Sequence, residues 1–483
     1  MRTKPVLRWG WVGLLLAVML FPVHAAATAG FDYATALKDA VYFYDGNKCG
    51  KDVAKDNVFK WRKACHVTDG RDVKLDLTGG FHDAGDHVKF GLPQAYAAGV
   101  LGWSLYEYRV AFDATGLSRK LLSTLRYFSD YFLKSHPRPE LFYYQVGNGV
   151  ADHNDWFSPE YQLGDRPTFY YADPKHPASD VCGSTAAALA LMYLNSKGED
   201  PKYAARCLKA AQELYGLGKK YPGLGRGQTF YQSASYLDDL AWGAFWLYRA
   251  EGNPSYLTDI QSYLAKPGPN GSNPFRNQWT MSWDDMYLPV LLKLAEQTGE
   301  VKYREALAYN LNYWQNELQT TPGGLKYRDQ WGVLRYAASE SFLALLYYRQ
   351  TRDESLKTFA KSQIDYMLGA NPAQRSYLVG FGGNYPKNLH HRALQGYQAY
   401  QNNKNDPALT LIGALVGGPN EHDEFKDNSS FYQYTEVAID YNAGFVAALA
   451  GMLQPDYPAA ENIKLRTTLK LAPSKLSKEM PMQ

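Results

Sequence analysis

Two aspartates stand three positions apart in a glycine-rich stretch, Gly79-Gly80-Phe81-His82-Asp83-Ala84-Gly85-Asp86-His87-Val88-Lys89-Phe90, and a glutamate, Glu436, lies far downstream in Tyr434-Thr435-Glu436-Val437-Ala438-Ile439-Asp440-Tyr441-Asn442. Hydrolysis of a glycosidic bond needs such groups: one carboxylic acid protonates the leaving oxygen and one carboxylate activates water or attacks the sugar. In a Gly-flanked turn, Asp83 and Asp86 can face one small volume, where like charge raises one proton affinity and couples the pair. Glu436 precedes an apolar helical run, which predicts a position at or just inside a helix start, with aromatics around it that keep the acid protonated. Taken alone, an Asp-x-x-Asp turn is more often a loop device or a calcium ligand. A lone helix-start glutamate is more often a solvated residue favoured by the helix dipole.

Other residue groups suit the handling of sugars. Asn148-Gly149-Val150-Ala151-Asp152-His153-Asn154-Asp155-Trp156 sets a hydroxyl-binding His three positions from a flat ring, and Leu389-His390-His391-Arg392 offers an imidazole and a rigid donor fork on a long loop. A pyranose presents C–H faces to rings and hydroxyls to polar rims, and the chain is rich in rings, with 39 Tyr, 11 Trp and 15% aromatics. Cys49, Cys65, Cys182 and Cys207 permit two disulfides in an exported chain. Cys65 is followed at once by His66, however, so Cys49, Cys65, His66 and one more imidazole, His87 in preference to His82, make an alternative closed zinc site. Ser235, Asp238, Asp239 and Asp285 gather oxygen ligands of the kind calcium takes.

The elements that must position these groups are helical. Apolar residues recur at helical spacing, as in Leu121, Leu125, Phe128 and Phe132, and predict twelve helices at 31–44, 94–112, 118–134, 181–196, 201–217, 238–251, 255–265, 284–298, 300–317, 336–349, 354–369 and 435–452. Twelve helices make six hairpins. Segment 184–194 is apolar nearly all round and predicts an enclosed helix, while 201–217 and 300–317 carry charges on one side, so inner and outer layers follow. The loops at 66–93, 136–180, 218–237, 266–283, 318–335 and 370–434 hold most of the chemistry, as long loops in compact proteins tend to.

The formal net charge of +3 comes from interspersed acids and bases, which argues against a nucleic-acid surface. A charged start, an apolar run from Trp9 to Val23 and Ala25-Ala26-Ala27 read as a signal peptide over 1–26. No other stretch has the roughly 20 apolar residues that a membrane span requires. The expectation is a secreted, extracellular or periplasmic monomer with a catalytic domain over 27–455 and a tail over 456–483. Residues 455–474 are read as a small extended segment and the end of the tail as disordered.

The two long blocks, in this order, resemble glycoside hydrolase family 9, the cellulases. The resemblance runs over roughly residues 31–453 and implies an (alpha/alpha)6 barrel of six helical hairpins whose long loops form an open cleft, with inverting endo-β-1,4-glucanase chemistry on cellulose or related β-glucans. By resemblance Asp86 is the base, Asp83 helps to fix the water and Glu436 is the acid, while His153, Trp156, Tyr231, Trp331, Arg335, His390, Arg392 and Tyr441 hold substrate. Some members carry zinc beside the base-bearing loop, and some carry calcium at places matching Ser235–Asp239 and Trp283–Asp285. Departures are Thr435 in place of the usual Asn, Leu389 in place of a proline, Ala234 where a tryptophan often stands, and a missing glycine between Ser235 and Tyr236. The alternatives are a member of the same fold acting on xyloglucan or mixed-linkage glucan, or from chain ends, and a carbohydrate-binding protein with weak catalysis.

Overall fold

The computed structural model describes residues 30–154, 156–162, 164–227, 229–395 and 405–455; the signal segment and the tail read from the sequence lie outside them. Twelve long helices alternate between two layers. They are α1 (Tyr33–Asn47), α2 (Gly91–Glu107), α3 (Ser118–Ser135), α4 (Ser179–Ser196), α5 (Pro201–Lys220) and α6 (Leu237–Glu251), then α7 (Ser255–Leu264), α8 (Tyr287–Thr298), α9 (Val301–Asn312), α10 (Val333–Thr351), α11 (Glu354–Leu368) and α12 (Ile439–Leu453). Local signals set many of the ends. Asp32, Asp200 and Asp353 each cap a helix by accepting from a backbone N–H in its first turn, and Pro201 opens α5 where its missing N–H costs nothing. Gly252 and Gly299 close α6 and α8 in the left-handed conformation.

The even-numbered helices form a closed inner ring, in which α2 packs on α4, α4 on α6, α6 on α8, α8 on α10, α10 on α12 and α12 on α2. Each odd-numbered helix covers an inner partner from outside, as α5 covers α4 and α11 covers α10. Sequence character follows position. Ala186–Leu191 of α4 is entirely buried, whereas α5 exposes Lys202, Arg206 and Lys209 beside a buried Tyr203, Ala204 and Cys207. The ring is filled by rings: Trp103 meets Trp242 edge-on at 5.0 Å and Phe342 at 4.8 Å, and Trp242 meets Trp246 at 5.3 Å. This is the barrel of six hairpins expected from the sequence.

Four features depart from the expectation. The segment read as 94–112 breaks at Tyr108, and the one read as 300–317 leaves the α conformation after Asn312 in a π turn, Tyr313–Glu317. The fold also carries a small antiparallel sheet in the order β1 (Lys89–Phe90), β2 (Phe142–Val146) and β3 (Thr168–Ala172), pairing Phe90 with Gln145 and Tyr143 with Tyr171. Finally, the last helix begins at Ile439, so Glu436 precedes it in extended conformation (φ −62°, ψ 146°) after a short helix, Tyr432–Thr435.

Candidate active site

The turn that carries Asp83 and Asp86 is held from several sides. Asn47 accepts from the His82 backbone N–H and its side chain donates to His82 O and Ala84 O, while Asp83 N–H donates to Val88 O and Asp83 O accepts from Ile439 N–H. Gly85 lies so close to the His390–His391 backbone that a Cβ would stand 2.3 Å from His390 O, which explains a glycine between the two acids. Asp86 folds its carboxylate back on this turn, accepting from Ala84 N–H (3.1 Å) and Val88 N–H (2.9 Å). Asp83 accepts from the Tyr231 hydroxyl on one oxygen, and the other, Oδ1, is buried without a hydrogen-bond partner among the described residues. Glu436 pairs with His390, and Val437 after it with Val416, in extended backbone, and its carboxylate accepts from Trp331 Nε1–H (2.7 Å) and the Tyr441 hydroxyl (3.0 Å).

Asp83, Asp86 and Glu436 open on one cavity of about 480 Å³ with His153, Tyr231, Trp331, Arg335, His390 and Tyr441 on its walls. Burial raises the proton affinity of all three acids. For Asp83 the neighbouring charges of Asp86 and Asp440 add to it, so its carboxyl lies well above the usual range. Asp86 is lifted less, opposed by His153 and Arg392. Burial lifts Glu436 against the Trp331 and Tyr441 hydrogen bonds and the charge of Arg335. The imidazoles are set by backbone: His153 Nδ1–H donates to Gly149 O and His390 Nδ1–H to Ser429 O, each at 2.7 Å, which makes Nε2 the acceptor. Trp156 lies against His390 (4.5 Å), His390 faces Tyr432, and Tyr432 meets Trp331 at 5.0 Å.

Two expectations are corrected. Arg392, read as a sugar-binding fork, is fully buried beneath the turn, where its guanidinium donates to Gly85 O and Asp152 O and pairs with the Asp152 carboxylate. It positions the loop. The fourth member of the cysteine–histidine cluster is His82 and not His87: the ligand atoms of Cys49, Cys65, His66 and His82 lie within 4.8 Å of one another, the one such group of three or more found among the described residues. The reason is register. Cys49 N–H donates to Gly80 O and Lys48 bridges Phe81, which sets His82 opposite the cysteines, while His87, its ring 5.0 Å from that of His82 and 5.5 Å from that of His66, turns Nδ1 onto Gln162 (2.7 Å). All four cysteines are free thiols.

Sequence reasoning missed two groups. Gln162 ties the cluster to the turn: Oε1 accepts from His66 Nε2–H (2.9 Å) and His87 Nδ1–H, and its amide donates to Asp152 Oδ1 (2.9 Å). No motif marks a glutamine in so irregular a loop. Asp440 accepts from Arg335 (2.9 Å) and acts on Asp83 through its charge; its spacing of four from Glu436 was the available signal. Thr435 hydrogen-bonds Asn428 O and Phe431 O, so it pins the short helix and makes no contact of its own to the acid. Ser235, Asp238, Asp239 and Asp285 do share one region, but Asp238 accepts from Met286 N–H, Asp239 from the Ser184 hydroxyl, and Asp285 from Asn277 and Tyr287 N–H. The Ser235 hydroxyl meets that of Tyr287 at 3.2 Å.

A double ring of helices whose loops set two buried aspartates and a half-buried glutamate among aromatic walls defines a carbohydrate-active hydrolase barrel. The chain belongs to glycosyl hydrolase family 9, whose profile it matches over residues 33–449. Endoglucanase A of Bacillus pumilus is 40% identical over 467 residues, covering 90% of this chain and 70% of its own length. The crystal structure of the cellulase Cel9M of C. cellulolyticum superposes with a TM-score of 0.85 at 55% identity, over 88% of this chain and 99% of that one. An endoglucanase from the termite Nasutitermes takasagoensis superposes with a TM-score of 0.83 at 36% identity, over 89% and 100%.

Proposed function

We propose that the protein hydrolyses internal β-1,4 bonds of cellulose and related β-glucans with inversion at the anomeric carbon. The observation that carries this reading is the convergence of Asp83, Asp86 and Glu436 on one aromatic-walled cavity. Glu436 is the acid: desolvation keeps its proton, and the Trp331 and Tyr441 hydrogen bonds aim and then stabilise the carboxylate left after donation. Asp86 is the base, because two backbone N–H groups hold its anion and its proton affinity is the less elevated of the pair. Asp83, with one oxygen bound to Tyr231 and the other unpartnered, offers the second acceptor for the attacking water. His153, Trp156, His390, Tyr231, Trp331, Arg335 and Tyr441 line or back the walls along which the glucan lies.

Reducing ends released from carboxymethyl cellulose test the activity. Proton NMR showing the α anomer as first product tests inversion; a β anomer refutes it. Export to the cell exterior or periplasm and action as a monomer belong to the same reading. Among the described residues no helix is long and apolar enough to cross a membrane.

Two structural ions complete the proposal. Two buried thiols and two imidazoles form the donor set of a closed zinc site, with Gln162 fixing the His66 tautomer so that Nδ1 faces Cys49. Calcium is assigned to Ser235, Asp238, Asp239 and Asp285, supported by the buried oxygens Asp238 Oδ1 and Asp239 Oδ2, which have no hydrogen-bond partner among the described residues. Elemental analysis finding zinc, and a calcium-dependent rise in Tm, check the two assignments.

A further inference from the structure

Beside the cleft, the outer strand of the sheet carries three consecutive rings, Phe169, Tyr170 and Tyr171, and none of them is buried. Successive strand residues point to opposite faces, so a strand covered on one side hides either Tyr170 or both of its neighbours. Here both faces of β3 remain partly open. Phe169 lies edge-on to Tyr170 at 4.7 Å, Tyr170 stacks with Tyr144 of β2 at 6.0 Å and 27°, and Tyr171 meets His176 at 4.8 Å. With Leu224, itself exposed, and Arg226, these rings line a groove of about 300 Å³. An aromatic edge strand with free backbone groups invites unwanted pairing unless its surface has an occupant.

The groove adjoins the catalytic cavity. Phe90 of β1 stands on the wall of that cavity, and β3 lies two strand spacings away, about 10 Å. The segment that borders the groove also borders the cavity. Arg226 N–H donates to the Tyr144 hydroxyl (2.8 Å), and a few residues later Phe230 and Tyr231 pack on Phe90 at 5.4 and 4.9 Å and enter the cavity wall. The polar members of the groove, Lys175, His176 and Arg226, supply donors for hydroxyls beside flat rings for C–H faces.

We propose that this groove is an auxiliary binding site for a β-1,4-glucan chain, holding polymer beside the cleft without taking part in the chemistry. The proposal rests on the glucanase reading above. Hydrolysis of cellohexaose by the wild type is measured first; its absence removes that reading itself. Phe169→Ala with Tyr171→Ala, and Tyr171→Ser alone as the milder variant, are then compared with wild type for retention on phosphoric-acid-swollen cellulose, with folding followed by circular dichroism. The expected result is about tenfold weaker retention for the double variant, with kcat/KM on cellohexaose unchanged and retention of the wild type persisting under saturating cellotriose. Folded variants with wild-type retention, an equal loss on cellohexaose, or loss of self-association in sedimentation in place of lost polymer binding would each overturn the groove as a glucan site. If the double variant does not fold, protection of residues 168–172 from hydrogen exchange by swollen-cellulose fragments decides the matter in the wild type: protection with the cleft saturated supports the proposal, and its absence overturns it.

Discussion

In the cleft, Asp83, Asp86 and Glu436 face a cavity and are met by donors that select particular oxygens. Asp180, Asp238 and Asp239 are buried and Asp285 is half-buried, yet they stand at or beside the N-termini of inner helices α4, α6 and α8, where peptide N–H groups and the dipole offset part of the burial. Burial raises proton affinity in both places, with Asp180 and Asp238 each brought to about 6. An elevated carboxyl therefore does not by itself identify an acid catalyst. What separates the regions is access and aim: Glu436 has a cavity before it and two aromatic donors behind it. Glu340 is the limiting case, wholly buried in α10 with neither oxygen fully hydrogen-bonded and its proton affinity raised by burial to about 8.

The comparison breaks most sharply on Glu436→Gln. Hydrolysis of cellohexaose should fall by about 10²- to 10⁴-fold, while a dinitrophenyl cellobioside, whose leaving group needs little protonation, should be largely spared. Equal loss on both substrates would remove the acid assignment. Asp86→Asn should cripple both substrates, since each requires the activated water, and Asp83→Asn should fall between the two; rates on the same substrate pair check this. By contrast Asp239→Asn, in the sealed group, should abolish the calcium dependence of Tm without altering the leaving-group dependence of the rate. A changed leaving-group dependence would mean that the two regions are not separate.

Glu340→Gln sharpens the comparison through pH. In the unfolded chain a glutamate loses its proton near 4.3, whereas in the fold it keeps it up to about 8. Its contribution to stability is therefore complete below the unfolded value and is lost as pH rises through about 8. Wild type should lose on the order of a few kcal/mol relative to the glutamine variant between pH 5 and 9, read by denaturant unfolding; parallel pH profiles would show that the carboxyl is solvated. The smallest effect belongs to Thr435→Asn. Because Thr435 grips carbonyls of the preceding turn, the change should shift Tm slightly and kcat by no more than a fewfold, on the order of 1 kcal/mol for one side-chain hydrogen bond.

The helices were legible because their signal is local and repeated: periodicity marked α3 and a nearly uniform apolar run marked α4. The acids were legible as well, since their blocks are long and distinctive. What escaped depends on register between distant segments. Nothing near His82 or His87 says which will face Cys49; that is decided by the pairing of residues 47–50 with 79–82. Arg392 carries the same guanidinium in a cleft or beneath one, and only the approach of Gly85 and Asp152 turns it inward. The sequence places Glu436 at a helix start because an apolar run follows it, but its own pairing with His390 and that of Val437 with Val416 keep the stretch extended.

Ring closure also has a consequence in time. The turn that carries Asp83 is joined to the segment that follows Glu436 by the Ile439 N–H to Asp83 O bond, and α1 meets α12 through Tyr44 to Ile439 O and Asn442 to Ala40 O. These links span nearly the whole chain, and contacts of such separation form late and slowly. A nascent polypeptide emerging from the ribosome holds Asp83 and Asp86 long before Glu436 exists, and the inner circle lacks its sixth member until α12 is made. Catalytic competence therefore arrives with completion of the barrel, so the onset of activity during refolding should report the last topological step and lag behind the recovery of helical signal.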